Sequence, residues 1–296
     1  MKKNILKGCV YTAAGSFWWG VIGVFYFKSV SFAGPVELVI HRTIWTAFLL
    51  LITTSLYSKW NAVVFILRDL KKTFRLLITG ILILANWSTW IYAVVTNRLI
   101  DASFGYYIMP ILSVLFGILF LKEPYNKQKI LSVSLVIISV VYLLINFNSV
   151  PWTGLIVAFT WSTYSLLRKK INVSPDLGLL IESLFMTPIA LFVFYLITLD
   201  GNNFFSPNDP MISFWLFLAG AMTVIPLFLF LKGIELAGLG TSGMIFFITP
   251  TCQFLLGIFY YDEYFDFNKL IGFVIIWVAV AIYLHDLTND KEAKLV

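Results

Sequence analysis

Apolar stretches of about 20 residues recur along the whole chain, separated by short segments that contain most of the charged residues. A helix needs about 20 mostly apolar residues to cross the hydrocarbon core of a bilayer. Because 60% of the 296 residues are hydrophobic and only 12% are charged, polar residues are too few to cover a water-soluble domain. The sequence therefore predicts an all-α membrane protein.

Turn and loop residues divide the chain into ten predicted transmembrane helices. The predicted segments are 8–28, 36–57, 73–95, 102–121, 128–146, 152–168, 177–199, 211–231, 241–260 and 267–285. The apolar run that begins at residue 8 is too long and too aromatic for the hydrophobic region of a signal peptide. We therefore expect that run to be the first helix.

The positions of the basic residues predict how these helices are oriented. If the N-terminus is cytoplasmic, most of the 21 lysines and arginines fall on the cytoplasmic side. Only Lys28, Arg98 and Lys269 fall on the outer side, and Arg42 lies within a helix. We therefore expect both termini in the cytoplasm. Since this orientation accounts for the net charge of +6, we do not expect a nucleic acid partner.

The two halves of the chain resemble each other. An offset of 140 residues pairs Pro35 with Pro175, Pro110 with Pro250, Gly117 with Gly257, Glu123 with Glu263 and Lys129 with Lys269. At an offset of 142, Trp19 pairs with Trp161. We predict two five-helix repeats, residues 1–147 and 148–286, and a cytoplasmic tail, residues 287–296. Because five is odd, the second repeat is inverted, as in many secondary transporters, which bind substrate at the repeat interface; chance similarity between apolar helices is the alternative.

Ionisable side chains inside a membrane helix are costly and commonly functional. The sequence has them at His41 and Arg42 in the second predicted helix and at Glu182 in the seventh. For Arg42 two interpretations stay open, an anchor for an anionic group of a substrate and a side chain that extends to the outer interface. His41 is spaced to pair with Glu37, as a structural or a proton-sensitive contact. Glu182 is a candidate for proton coupling, with helix packing as the alternative.

Arg42 and Glu182 occupy equivalent positions in the two repeats at the offset of 140, yet we do not expect them to pair. Arg42 lies roughly 9 Å from the outer end of its helix, and Glu182 roughly 8 Å from the inner end of its own. In a hydrocarbon core of about 30 Å, one charge should lie near each mouth.

Aromatic and amide residues of other helices are candidates for lining a substrate cavity. Asn86 and Trp90 are four residues apart and share one helix face. The other candidates are Tyr106, Tyr107, Trp161 and Gln253. Helix packing or an aromatic belt at the interface is the alternative for the Trp and Tyr residues. Pro110, Pro226 and Pro250 are candidate hinges, because a proline removes a backbone hydrogen bond and favours a bend.

The residues needed for metal or nucleotide chemistry are missing from the sequence. Cys9 and Cys252 fall in apolar segments and are expected to be small buried side chains rather than a disulfide or metal pair. We expect no metal, no cofactor and, without a P-loop, no direct use of ATP. No helix contains paired aspartates, so we do not expect an enzyme.

Several motifs are spread over most of the predicted helices. They are Glu-Leu-Val-Ile-His-Arg-Thr-Ile-Trp at 37–45, Asn-Trp at 86–87, Asp-Ala-Ser-Phe-Gly-Tyr-Tyr-Ile-Met-Pro at 101–110, Leu-Lys-Glu at 121–123, Ile-Glu-Ser at 181–183, Thr-Val-Ile-Pro-Leu at 223–227 and Trp277. Together they resemble the RarD family, in the EamA branch of the drug/metabolite transporter superfamily. The resemblance implies a ten-helix permease of the bacterial inner membrane with a central cavity. Small multidrug members of the superfamily use a carboxylate in their first helix for proton-coupled antiport. Here the first and sixth helices contain no acidic residue, so the resemblance does not extend to that mechanism.

We therefore expect a secondary-active transporter that moves a small metabolite or drug-like molecule, amino-acid-like or anionic, by alternating access. The expected partners are a small-molecule substrate, the lipid bilayer and, as a candidate coupling ion, the proton. The sequence leaves open whether the protein is a monomer or a homodimer. The alternatives are a membrane-embedded transferase and a channel or receptor without active transport.

Overall fold

A computed structural model describes residues 2–95, 99–145, 152–260 and 267–289. Within these ranges every regular element is a helix, which confirms the predicted all-α class. Residues 2–145 contain α1 (Lys2–Phe17), α2 (Gly23–Ser29), α3 (Gly34–Leu56), α4 (Trp60–Arg68), α5 (Leu70–Val95), α6 (Leu99–Leu121) and α7 (Lys127–Ile145). Residues 152–289 contain α8 (Trp152–Ile171), α9 (Pro175–Leu199), α10 (Pro210–Phe217), α11 (Ala219–Ala237), α12 (Leu239–Ile245), α13 (Ile248–Phe259) and α14 (Phe267–Asn289).

Five helical spans in the described ranges are long and apolar enough to cross a bilayer. They are Lys3–Ser29, Ser31–Leu56, Leu70–Ala93, Pro175–Leu199 and Pro210–Ala237. Shorter apolar helices occur at Gly105–Leu121 and Leu270–Asp286. Each of the ten predicted segments falls on one of the helices α1–α14 or on consecutive ones, but the number of ten spans stays a prediction.

Some features of the predicted repeats lie outside the described residues. These are the boundary at 147–148, the aligned Glu263, the outer Arg98 and residues 290–296 of the tail. The side chain of Lys269 is also outside the described part of the structure. The division into two repeats therefore stays a prediction at this point.

Three of the predicted helices are interrupted rather than continuous. The first contains a π-helical turn, Trp18–Ile22, between α1 and α2, and such turns are frequent at functional sites. The eighth is interrupted at Leu218, and the ninth is divided at Phe246 and Phe247.

The three candidate hinge prolines differ in their surroundings. Pro250 lies in the first turn of α13, and a proline ring clashes with the carbonyl group four residues earlier, here that of Phe246. This clash explains why the ninth predicted helix divides where it does. Pro110 and Pro226 instead lie within α6 and α11, which are continuous through them. Their role as hinges stays a prediction.

The segment between the second and third predicted helices contains a helix that the sequence analysis did not predict. This helix, α4, has 9 residues, too few to cross a bilayer. It buries Val63 and Ile66, whereas Trp60 and Phe65 are exposed. An amphipathic helix of this kind is suited to lie at the membrane interface.

Close packing between small residues joins the first part of the chain to the second. A Cβ atom on Gly8 would lie 2.7 Å from the backbone nitrogen of Ala237, and one on Gly15 would lie 2.8 Å from the carbonyl oxygen of Pro226. Both glycines are on α1, and their neighbours are on α11. Glycines allow membrane helices to approach closely and gain van der Waals contact. The contact between α1 and α11 brings the two parts of the chain together around a shared interior.

Replacing Gly15 by alanine should therefore destabilise the fold. The new methyl group would push α1 away from the backbone of α11, and we expect the melting temperature of the purified protein to fall by several degrees. Gly23→Ala is the matched control, because the nearest atom to its Cβ would be the Trp18 carbonyl oxygen at 3.5 Å. Equal melting temperatures for the two variants would contradict this account of the α1–α11 contact.

Candidate binding cavity

Arg42, on α3, is buried near the centre of the helical bundle, with only 4% of its surface exposed. Its Nε donates a hydrogen bond of 2.8 Å to Thr223 Oγ1, which in turn donates to the carbonyl oxygen of Ala219. The guanidinium carbon lies 4.5 Å from the ring centre of Trp87 and 5.3 Å from that of Phe27. Cation–π contacts and this hydrogen bond thus stabilise the charge.

No carboxylate compensates the charge of Arg42 in the described part of the chain. The ion pairs found there, with N–O distances of 4.0 Å or less, all join other side chains. A buried cation without a counter-ion is costly in a low-dielectric interior. Arg42 is therefore suited to receive an anion from outside the protein.

The guanidinium lines a cavity formed by helices from both parts of the chain. The lining residues are Trp19, Gly23, Phe27, Arg42, Asn86, Trp87, Trp90, Tyr106, Met109, Val157, Trp161 and Phe246. A water-sized sphere can occupy about 40 Å³ of this space. Since small-molecule sites usually offer roughly 300–1,000 Å³, the cavity is contracted in this conformation and has to widen before a substrate can enter.

Aromatic rings form most of the cavity wall. Trp161, on α8, packs edge-on against Trp19, with 5.1 Å between ring centres, and lies 5.8 Å from Phe246. Tyr106 stacks on Phe246, with 6.0 Å between ring centres, and is hydrogen-bonded to Trp90. These contacts hold flat apolar surfaces around a small space next to one cation.

Asn86, also in the lining, uses its amide group to join two helices. Its Nδ2 donates hydrogen bonds to the carbonyl oxygen of Val157, at 2.9 Å, and to Thr160 Oγ1, at 3.0 Å. Both acceptors are on α8, whereas Asn86 is on α5. The amide donors therefore fix one wall of the cavity.

The structure brings together five of the predicted cavity residues and places three elsewhere. Arg42, Asn86, Trp90, Tyr106 and Trp161 line the cavity. Of the other three, His41 contacts Glu37 and Trp45. Tyr107 packs in an apolar cluster with Ile111 and Met244. Gln253 is partly exposed on α13. That His41, Tyr107 and Gln253 take part in substrate binding stays a prediction.

Sequence reasoning missed several residues of the cavity wall. Trp87 directly follows Asn86, and Trp19 is the repeat partner of Trp161, so both had a signal in the sequence. Phe27 and Phe246 had none beyond their apolar character. Phe246 reaches the cavity at the break between α12 and α13, which only the fold reveals.

A second space, of about 350 Å³, lies between α3, α5 and α9. Its wall is mostly aliphatic, with Val36, Val39, Met186 and Ile189 among its members. None of the described side chains of this wall is charged. We therefore consider the cavity at Arg42 the candidate site.

Glu182 belongs to a separate buried cluster. Its Oε1 accepts a hydrogen bond of 2.6 Å from Thr79 and lies 3.4 Å from Arg168 Nε, while its Oε2 accepts from Tyr164 at 3.1 Å. Arg168, which the pattern of basic residues predicts at the cytoplasmic end of its helix, is buried in the last turn of α8. The absence of a side chain on Gly178 leaves the room that the guanidinium of Arg168 occupies. The opposite charges of the pair lower the cost of burying either one.

Two further carboxylates join the first part of the chain to the backbone of the second. Glu37 Oε1 accepts hydrogen bonds from the backbone nitrogens of Phe204, at 2.9 Å, and Phe205, at 3.1 Å. His41 Nε2 lies 3.4 Å from the same oxygen, which confirms the predicted pair. We call this arrangement the Glu37 contact.

The second arrangement, the Glu123 contact, is bidentate. Glu123 Oε1 accepts from the backbone nitrogen of Leu239 at 2.7 Å, and Oε2 accepts from that of Gly240 at 3.0 Å. Cβ atoms on Gly117 or Gly238 would lie within 3.0 Å of the carboxylate oxygens, so side chains there would displace it. Hydrogen bonds from backbone donors to a charged acceptor are stronger than neutral ones.

Comparison with known proteins agrees with this architecture. The sequence profile of the EamA-like transporter family matches residues 6–145 and 149–284. The chain belongs to this family. It is 33% identical to Protein RarD of Salmonella typhi over 292 residues, which is 99% of each chain. It is 34% identical to an uncharacterized transporter of Vibrio cholerae over 285 residues, which cover 96% of this chain and 94% of the relative.

A solved crystal structure also resembles this EamA-like protein. The two chains align with a TM-score of 0.68 over 93% of this chain and 95% of the other. At 14% sequence identity, this likeness shows a shared fold. Family, fold and apolar helices together make this chain a multi-pass membrane protein with a transporter role.

Proposed function

We propose that this EamA-like protein is a secondary-active transporter of the bacterial inner membrane. Its cargo is a small metabolite or drug-like molecule, with amino-acid-like and anionic compounds as the candidates. One observation carries the proposal: a buried arginine, without a carboxylate partner among the described residues, lines an aromatic cavity that helices from both parts of the chain enclose. Such a group can recognise a polar substrate in the membrane interior, where water cannot compete.

The proposed architecture has two inverted five-helix repeats, residues 1–147 and 148–286, and both termini in the cytoplasm. The separate matches of the family profile to residues 6–145 and 149–284 support the repeats. The asymmetric distribution of lysine and arginine supports the orientation. In this topology α3 and α6 cross the membrane in the same direction. Glu37, in the first turn of α3, then lies toward the outside, and Glu123, just after α6, lies toward the cytoplasm.

In this topology, the Glu37 contact and the Glu123 contact have a role in the conformational change of transport. Each contact joins the proposed repeats at a different end of the cavity, and both are formed while the cavity is contracted. Alternating access requires the cavity to open toward one side at a time. The Glu37 contact would open in the outward-facing state and the Glu123 contact in the inward-facing state.

The transport proposal is tested in proteoliposomes with wild-type protein and Arg42 variants. Compounds that raise the melting temperature, from a screen of amino acids, nucleosides and antibiotics, are assayed for uptake. For an anionic substrate, Arg42→Ala should raise KM by roughly tenfold or more, since a hydrogen bond to a charged group contributes about 1.5–3 kcal/mol. Arg42→Lys should retain part of the affinity because it keeps the charge.

The same assay separates the alternatives. Full transport by both variants would remove Arg42 from the binding site. Flux that does not saturate with substrate concentration would indicate a channel, and product formation without transport would indicate an enzyme.

Glu182 is the proposed site of proton coupling. Protonation of its carboxylate would neutralise the partner of Arg168 and loosen the contacts among α5, α8 and α9. Glu182→Gln cannot titrate, so its transport should no longer respond to a pH gradient. Glu235→Gln is the control, because Glu235 forms a partly exposed pair with Lys232. An unchanged pH response in Glu182→Gln would assign Glu182 to helix packing.

Cysteine accessibility tests the two carboxylate contacts. Val30→Cys, near the outer end, and Ser113→Cys, in the cytoplasmic half of α6, serve as buried reporters in a chain whose Cys9 and Cys252 are replaced by serine. Glu37→Ala should increase labelling of Val30→Cys by an impermeant maleimide added to spheroplasts. Glu123→Ala should increase labelling of Ser113→Cys in inside-out vesicles. If each substitution exposes both reporters equally, the contacts only stabilise the fold.

A further inference from the structure

The charge inside the cavity is of one sign. Among the lining residues that the structure describes, Arg42 is the only charged one, and its neighbours there are aromatic, aliphatic or amide side chains. A carboxylate that approaches the guanidinium would supply the counter-charge that the described residues do not provide. Charge-assisted hydrogen bonds between guanidinium and carboxylate are among the strong polar contacts in proteins.

The described lining offers an ammonium group no carboxylate partner. The buried carboxylates in the described part of the chain lie outside this lining: Glu37 accepts backbone hydrogen bonds through Oε1, Glu182 faces Arg168, and Asp286 accepts from Asn126. In an α-amino acid the ammonium group is next to the carboxylate, so it would also lie close to Arg42. Two like charges at that separation repel each other strongly in a low-dielectric site.

The cavity wall consists largely of flat aromatic rings that pack against one another. Trp19, Trp161 and Phe246 are 5.1–5.9 Å apart between ring centres, and Tyr106 stacks on Phe246. Aromatic rings bind other rings in edge-to-face and offset-stacked geometries at such distances. The amide donors of Asn86 are already bound to α8, which leaves Arg42 as the charged donor for a ligand.

We infer that the cavity binds a small organic monoanion that has a flat apolar body and no ammonium group, with aromatic monocarboxylates as the chemical class. This inference deepens the proposed transport function and rests on it for its biological meaning. It discriminates between the two candidate cargoes, favouring the anionic one over the zwitterionic amino acid.

Four compounds with the same phenyl skeleton test the inference: 3-phenylpropanoate, L-phenylalanine, 3-phenylpropanamide and 2-phenylethylamine. Binding to the purified full-length protein is measured by quenching of tryptophan fluorescence and by the shift in melting temperature. The tryptophans of the cavity wall serve as the reporter. We expect 3-phenylpropanoate to bind at least about tenfold more tightly than the other three. Equal or tighter binding of L-phenylalanine would overturn the inference.

Variants assign the preference to Arg42. Arg42→Gln should abolish the advantage of the anion over the neutral amide, while Arg42→Lys should keep part of it and guards against a variant that fails to fold. Lys127→Gln, at an exposed lysine that begins α7, is the control and should retain the full advantage. Retention of the full advantage in both Arg42 variants would overturn the inference.

One acidic residue needs its own variant, because the side chain of Asp101 lies outside the described part of the structure. Asp101→Asn should leave the order of the four affinities unchanged. If the wild type binds L-phenylalanine tightly and Asp101→Asn does not, an ammonium site exists and the inference fails. Binding of 3-phenylpropanoate without its transport would contradict the proposed function alone, whereas transport without a preference for the anion would contradict only the inference.

Discussion

The buried guanidinium of Arg42 determines how the centre of this protein is arranged. A cation in a membrane interior has to be stabilised from several directions, and here the support comes from three other elements of the chain. Thr223 on α11 accepts its Nε hydrogen, and the rings of Trp87 on α5 and Phe27 on α2 lie against it. Stabilising this charge therefore brings together α2, α3, α5 and α11 around one small space, which becomes the cavity.

Unlike Arg42, the acidic residues Glu182, Glu37 and Glu123 do not line the cavity and are bound by other groups of the protein. The carboxylate of Glu182 is paired with Arg168 and hydrogen-bonded by Thr79 and Tyr164, and Glu37 and Glu123 each accept two backbone hydrogen bonds. These groups join parts of the chain that are distant in sequence, whereas Arg42 faces the cavity. A ligand-binding group has to gain more free energy from its ligand than from the protein. The incompletely compensated charge of Arg42 therefore marks the binding site.

The candidate site was predictable where residue type alone carried the signal. An arginine inside an apolar helix is conspicuous in any sequence, and Trp161 was marked by its repeat partner Trp19. The burial of Arg168 was not predicted, because a basic residue at the end of an apolar run resembles an exposed cytoplasmic flank. Its burial depends on Glu182, on a different helix, and on the space that Gly178 leaves free. Neither condition is visible in the local sequence.

The sequence by itself determined the helical class, the family and the identity of the central cation, since apolar length, short motifs and a rare buried charge are properties of consecutive residues. The tertiary structure alone decided which polar groups pair between helices far apart in the sequence, that Phe246 lines the cavity at a helix break, and that α4 forms beside the bundle. The physical reason is that hydrophobicity makes a segment enter the lipid but does not select its neighbours. Close approach at glycines, hydrogen bonds between distant residues and the balance of buried charge make that selection.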